Sequence, residues 1–208
     1  MLFYYRNAKP SDLFFVDIGA NDGVSLSNTY ALDGVWGGGI LIEADSKVFA
    51  SLQKNRQNPK VSYHNIALFN QDKTIKFLQI QGYAQMLSGI LDEYDPRHLE
   101  RIEHEIAEFG GSYEIIEMQS MRFSTLMRNH PHIRRIDYMS IDVEGGEMKI
   151  LESLDFENFD IGLLGIENNY KDFVIPKFLN PRAIRKSFAL AVMSSTQKDS
   201  DIYLCFKD

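Results

Sequence analysis

Leu13-Phe14-Phe15-Val16-Asp17-Ile18-Gly19-Ala20-Asn21-Asp22-Gly23 is the stretch on which the reading of the fold turns. An apolar run ends in an acid and passes directly into a glycine loop, as a buried strand does when it opens onto a ligand. Gly39 to Ile42 repeats the pattern and ends in Glu43, and Ile136 to Val143 carries Asp142, with Glu144 just before Gly145-Gly146. Three strand ends bearing carboxylates predict one negatively charged rim, at the place where an open parallel sheet binds its ligand. The ligand expected there is cationic, rich in hydroxyls, or both.

Composition permits this reading. The chain has 208 residues, 44% hydrophobic and 25% charged, which suffices for one substantial core and is short for two. A single domain is expected over residues 1–208, with its core at about 13–206. No apolar stretch approaches the roughly 18 residues of a membrane span. Met1-Leu2-Phe3-Tyr4-Tyr5-Arg6 lacks the basic start and long apolar run of a signal peptide, so a soluble, cytoplasmic protein is expected. Cys205 lies between Leu204 and Phe206 and reads as a buried thiol without redox chemistry. With 29 acidic against 22 basic residues the formal charge is -7, which repels a nucleic-acid backbone. The short basic gatherings at His130 to Arg135 and Lys177 to Lys186 read as solvated surface.

Apolar, β-rich runs alternate with helix-compatible segments. Strands are expected at Leu13 to Ile18, Gly39 to Ala44, Val61 to Leu68, Tyr113 to Phe123, Tyr138 to Val143 and Ile161 to Glu167, and Thr74 to Ile80 alternates like a solvent-edge strand. Helices are expected at 24–33, at Lys47 to Arg56 with Val48, Phe49 and Leu52 on one face, and at Glu147 to Leu154. At residues 92–109, Leu99, Ile102, Ile106 and Phe109 stand at helical spacing among many charges, and Gly110-Gly111 ends the run. Pro176 and Pro181 bracket a short helix. Phe188 to Met193 and Ile202 to Phe206 suit a closing hairpin around a polar 194–201 loop. The alternation predicts an α/β sheet wound on both faces.

The glycine loop narrows the ligand. A dinucleotide fold requires Gly-x-Gly-x-x-Gly so that the backbone can approach a pyrophosphate, but Asn21 and Val24 occupy the second and third positions counted from Gly19. That disfavours a nicotinamide oxidoreductase. Asp17-x-Gly19-x-x-x-Gly23 suits a nucleoside without phosphate, and S-adenosylmethionine is such a ligand, with a cationic sulfonium and two ribose hydroxyls. Glu43 stands 24 residues past Gly19 at a strand end, placed to accept both hydroxyls. A plain turn held by Asn and Asp side chains is the structural alternative. An EF-hand loop fails at Gly19, Asp22 and Asn28, where the second ligand, the turn glycine and the bidentate Glu belong.

Val16 to Gly23, Ile42-Glu43-Ala44-Asp45 and Ile136-Asp137-Tyr138-Met139-Ser140-Ile141-Asp142-Val143-Glu144-Gly145-Gly146-Glu147 together resemble the FkbM family of S-adenosylmethionine-dependent methyltransferases. The similarity runs from about Leu13 to Phe206, and Phe156 to Asn169 matches one branch. The resemblance implies a class I, Rossmann-like methyltransferase fold: a doubly wound, seven-stranded, mostly parallel sheet with a C-terminal antiparallel hairpin. It implies O-methylation of a hydroxyl on a sugar, glycan or secondary metabolite. By motif, Asp17, Gly19, Ala20, Asn21 and Gly23 are expected at the methionine part, Glu43 at the ribose, and Ala44, Asp45, Ile66 and Ala67 around the adenine, with Asp142 beside the cofactor. Many members carry Glu-Pro where this chain has Glu43-Ala44, and Lys where it has Ser140; the second departure counts against a catalytic lysine there.

A hydroxyl acceptor benefits from a base, and Asp142, Glu144 and Glu167 are the candidates at strand ends, with His64 next. A bend at Gly145-Gly146 is expected to let Asp142 and Glu144 converge on the cleft. Loop and helix capping is the plain alternative for these two, and a satisfied strand histidine for His64. No metal site is read: His98 and His104 lie six apart and share no helix face, and His130-x-His132 reads as surface. The helical insert at about 83–111, with Tyr83, Tyr94, Arg97 and His98, is expected to be a substrate lid or, equally, a sheet cover or dimer surface. A noncatalytic nucleoside-binding module and a homo-oligomer remain open.

Overall fold

The computed structural model describes residues 5 and 7–169, together with the backbone of residues 188–193 and 201–205. In chain order the elements are β1 (Phe14–Ile18), β2 (Gly38–Glu43), α1 (Ser46–Asn55), β3 (Val61–Asn65), β4 (Ala67–Leu68), β5 (Thr74–Gly82), β6 (Gly89–Ile90) and α2 (Pro96–Phe109). They continue with β7 (Gly111–Met121), α3 (Phe123–Leu126), β8 (Arg135–Ile141), α4 (Glu147–Ser153), β9 (Asp160–Glu167), β10 (Phe188–Met193) and β11 (Asp201–Cys205). The short helix at 176–181, the basic gathering at 177–186, the 194–201 loop and the Cys205 side chain lie outside the described residues.

The main sheet runs β11-β10-β9-β8-β1-β2-β3 and is mostly parallel; β11 pairs antiparallel with β10. Its central strands are apolar almost throughout because both faces are covered. Phe15, Leu41 and Tyr138 face one side with Leu52 of α1. Val16, Ile18, Ile40, Ile42, Met139 and Ile141 face the other, under Phe123 and Leu126 of α3 and Ile150 and Leu151 of α4. This is the period-two alternation of a strand with two buried faces. After β3 the chain returns to the far side of β1 to form β8, so the order reverses between β1 and β8, and the carboxyl ends of β1, β2, β8 and β9 surround that switch point.

A second sheet, β4-β7-β5-β6, changes the reading of several strands. Val61 to Leu68 is not one strand: β3 stays in the main sheet, while Ala67 and Leu68 pair with Ser120 and Met121 of β7. Thr74 to Ile80 is no edge strand of the main sheet, because β5 is flanked by β6 and β7 and pairs antiparallel with β7 from Thr74↔Gln119 to Gly82↔Gly111. Ile75 and Phe77 face one cluster, while Leu78 and Ile80 face Ile102 of α2. The amphipathic helix starts at Pro96, not residue 92, since Asp95 caps it by accepting from Arg97 N at 2.8 Å and proline suits the first helical position.

The helix expected at 24–33 does not form; only Tyr30–Leu32 makes a 3-10 turn. Local polar side chains outcompete the helix here. Asp22 accepts from Val24 N and Ser25 N, Asn28 donates to Ser140 Oγ at 3.1 Å, Thr29 donates to Asp17, and Leu26 sits at φ 53. Arg56, 2% exposed, holds the segment from behind through Asp33 and the Gly23 carbonyl.

Candidate active site

β1 ends inside the protein, and its acid is buried with it. Asp17 is 2% exposed and accepts a 2.6 Å hydrogen bond from Thr29 Oγ1; burial pushes its pKa up to about 6, against the pull of Thr29 and Arg56. Gly19 follows at φ 85, where a Cβ would collide with the Asp142 carbonyl, so the loop can cross over β8 only with glycine. Asn21 takes a left-handed φ of 48, and its N–H donates to Glu43 Oε2 at 2.9 Å. Glu43 Oε1 accepts from Asp45 N at 2.8 Å. Each oxygen of Glu43 therefore spends one acceptor position on backbone and keeps another. Burial pushes this carboxyl up to about 7.

These groups line an open cleft at the carboxyl ends of the central strands. Glu43 lies along it with an apolar wall formed by Val48, Ile66, Ala67, Phe77 and Ile90, while Asp17, Asp142, Glu144 and Glu167 supply carboxylates. Gly19, Ala20, Asn21, Ala44 and Asp45 also line it. Asp45 has a structural duty as well: its Oδ1 accepts from Lys47 N and Val48 N to cap α1, and from Gln79 Nε2. Gly23 is not among the residues lining this cavity; at φ 78 a Cβ there would run into Leu52 and Arg56 behind the loop.

β8 ends at Ile141, and the chain then turns sharply, with Glu144 at φ 58 and Gly145 at φ 126. Glu147, 5% exposed, holds the turn by accepting from Val143 N at 3.1 Å and Gly145 N at 3.0 Å. Asp142 and Glu144 consequently converge, and with Glu167 from the end of β9 they bring carboxylate oxygens within 4.8 Å of one another. Asp142 and Glu144 keep some surface open to the cavity, yet protein surrounds most of each carboxylate. Burial first, then Glu167's charge, raises Asp142 well above the usual carboxylate range. Burial and the charge of Asp142 do the same to Glu144. Glu167, 8% exposed, rises to about 7 for the same reasons, burial and the charge of Glu144.

A second cavity, about 880 Å3 of open space, lies beyond this cluster and shares Glu144 and Glu167 with the first. Tyr94 and His98 of the insert line it, together with Asn168. His98 stacks on Tyr94, its Nε2 lies 3.5 Å from Glu144, and burial with Arg101 nearby pushes it down to about 4, so the imidazole is neutral. Tyr83 and Arg97 point elsewhere: Tyr83 stacks on Phe109 at 4.3 Å, and Arg97 pairs with Asp95 at the surface.

The chain matches the methyltransferase FkbM domain over residues 17–184. It belongs to the FkbM methyltransferase family. It is also similar to "Methyltransferase 1" of Beauveria bassiana (strain ARSEF 2860), with 26% identity over 196 residues, covering 88% of this chain and 75% of that protein. No solved structure matches it significantly. Membership in the FkbM family makes this a methyltransferase domain and favours neither a nicotinamide oxidoreductase nor a noncatalytic module. No helix among the described residues is long and apolar enough to cross a membrane.

Within this FkbM domain two histidines pair away from both cavities. His64 lines neither cavity; its Nε2 sits 3.0 Å from that of His130, and burial and the neighbouring ring lower its pKa. His130 is not surface, being 9% exposed. Two contributors escaped the sequence reading. Glu147 was visible only as an acid in the first turn of a helix, and Asn168 only as a polar residue following a buried strand acid. His104 is exposed and apart from His98, as their six-residue spacing requires.

Proposed function

We propose that this domain transfers a methyl group from S-adenosylmethionine to a hydroxyl of a sugar, glycan or secondary metabolite. The observation that carries the reading is that two cavities meet at Glu144 and Glu167, with Asp142 beside them on the first cavity's wall. The first fits the cofactor: Glu43 retains an acceptor position on each oxygen for the ribose hydroxyls, Ile66, Ala67 and Phe77 form an apolar wall for a purine, and carboxylates suit the cationic end. Ala20, Asn21, Ala44 and Asp45 complete the cofactor surroundings, inside a class I, seven-stranded sheet closed by a C-terminal hairpin. The second cavity takes the acceptor, with Tyr94 and His98 of the 83–111 insert over it.

S-adenosylmethionine, when bound, supplies a methyl group on a sulfonium that leaves as a neutral thioether. The carboxylate cluster orients the acceptor hydroxyl in line with that methyl and takes up its proton as the O–C bond forms and the C–S electron pair goes to sulfur. Glu167, raised to about 7, suits this task, since a base works best when its pKa lies near the operating pH. Asp142→Asn, Glu144→Gln and Glu167→Gln test it through turnover on a panel of hydroxylated acceptors alongside cofactor titration calorimetry. At least one amide is expected to lower kcat by about 10²- to 10⁴-fold while leaving cofactor affinity within a few-fold. Full turnover in all three variants would remove the cluster from the chemistry.

A further inference from the structure

Asp142, Glu144 and Glu167 concentrate like charge where protein structure ordinarily separates it. The groups raising Asp142 by charge are all acids, Glu167, Glu147 and Asp17. Glu167 bonds through its side chain with Asp142 and Asn169, yet its Oε2 is buried without a hydrogen-bond partner among the described residues. A separate observation comes from the next residue. Asn168 is 6% exposed, lines the second cavity with Glu144 and Glu167, and leaves its Oδ1 cut off from solvent without a hydrogen-bond partner among the described residues. Asn168 thus adds, in the residue next to Glu167, a buried oxygen acceptor without a donor, and an orphaned buried polar atom carries a real desolvation penalty that a bound group would relieve.

We propose that Asp142, Glu144, Glu167 and Asn168 form a binding site for an oxygen-preferring divalent cation at the junction of the two cavities. The donor set is three carboxylates and an amide oxygen, hard ligands that select magnesium, manganese or calcium over softer metals. With the three oxygens within 4.8 Å of one another, there is a point no more than about 2.8 Å from all three, so side-chain adjustments of about half an ångström bring an ion there to bonding distance. Ion binding stands on this geometry alone; its role in the reaction rests on the methyl-transfer reading. There the acceptor oxygen becomes a further ligand, and the ion's charge lowers the hydroxyl's pKa. With the ion bound, the three carboxylates act as ligands in place of the proton acceptor: the hydroxyl proton departs to water, the oxygen bonds to the methyl carbon, and the C–S pair goes to sulfur.

Manganese is the probe. The full chain is stripped with chelator and titrated with Mn2+ alone, free ion being read by electron paramagnetic resonance and stability by thermal denaturation. One Mn2+ per chain is expected to bind, displaced by excess Mg2+ or Ca2+, and to raise the melting temperature. Asp142→Asn and Glu167→Gln should each weaken Mn2+ binding at least tenfold and Asn168→Ala several-fold, while the surface variant Glu114→Gln binds as the parent does. Thermal denaturation without metal shows whether each variant is folded. The two carboxylate-to-amide variants should melt no lower than the parent, since they relieve repulsion. Absence of Mn2+ binding at millimolar concentration, or equal binding by parent, Asp142→Asn and Glu167→Gln, overturns the site. Methyl transfer unaffected by chelator leaves the methyltransferase reading standing and removes the ion from the reaction. Mn2+ bound without any methyl transfer does the reverse.

Discussion

Replacing Glu43 with alanine separates the cofactor reading from a purely structural one. In the structure Glu43 accepts from Asn21 N at 2.9 Å and from Asp45 N at 2.8 Å, leaving one acceptor position per oxygen for a ligand. Two ribose hydroxyls bonded to an ionised carboxylate contribute about 1.5 to 3 kcal/mol each, and with incomplete additivity their loss costs about 2 to 5 kcal/mol. At about 1.4 kcal/mol per decade that is roughly a 30- to 5000-fold weaker Kd. The fold should suffer less: two backbone hydrogen bonds at about 1 kcal/mol each, partly offset by removal of a buried carboxylate. The sequence alone predicts an unchanged fold, and the backbone contacts replace that with a loss of about 1 to 2 kcal/mol. The variant also has a pH signature. Burial holds Glu43 at about 7, and hydroxyls that donate to it favour its ionised form, so cofactor binding releases a proton below that pH. Affinity in the parent should rise as the pH goes from 6 to 8 and then level, and this rise should be absent from Glu43→Ala. Calorimetry with S-adenosylmethionine and S-adenosylhomocysteine at both pH values, beside urea unfolding, supplies the measurements. An unchanged Kd at pH 8 would refute the ribose assignment.

Glu147→Ala removes the acceptor for Val143 N and Gly145 N, and should cost about 2 to 4 kcal/mol of stability in urea unfolding. Turnover should fall further than cofactor affinity, because the turn carrying Glu144 loses its anchor; equal turnover would mean that the turn holds itself. Asp17 has a folded pKa of about 6 against 3.8 in the unfolded chain, so the ligand-free protein binds an extra proton between these values and loses stability as the pH rises through that window. Asp17→Asn mimics the protonated form and should abolish that loss, which is on the order of 3 kcal/mol at most. Denaturation at pH 4 and pH 7 checks this, and a variant less stable than the parent at pH 7 contradicts it.

The linear sequence determined the parts of this protein that depend on local chemistry. The apolar runs at Phe14 to Ile18, Gly39 to Ile42 and Ile136 to Ile141 are strands because only a two-sided core tolerates them, and β2 and β8 both pair with β1 in parallel. The acids at their ends were legible for the same reason, since a carboxylate closing a buried run has few positions open to it. Segments whose fate depended on distant partners were not legible. Residues 24–33 have a helix-compatible pattern, yet Thr29 bonds to Asp17 of β1 and Asn28 to Ser140 of β8, contacts to two separate strands. Thr74 to Ile80 alternates like an edge strand, but its partner β7 lies beyond a whole helix in the chain, so pairing distance hid the second sheet. The members of the carboxylate cluster and the bend that joins Asp142 to Glu144 were legible in the sequence; the approach of Glu167 to them was not. Asp142 and Glu167 are 25 residues apart in sequence, and only the parallel register of β8 on β9, Ile141 opposite Ile166, carries both acids to one end of the sheet. Residue pattern sets which groups can be buried and, through Gly145 and Glu147, where the chain bends after β8; which groups from distant segments meet is decided by strand order and register, which no local preference specifies.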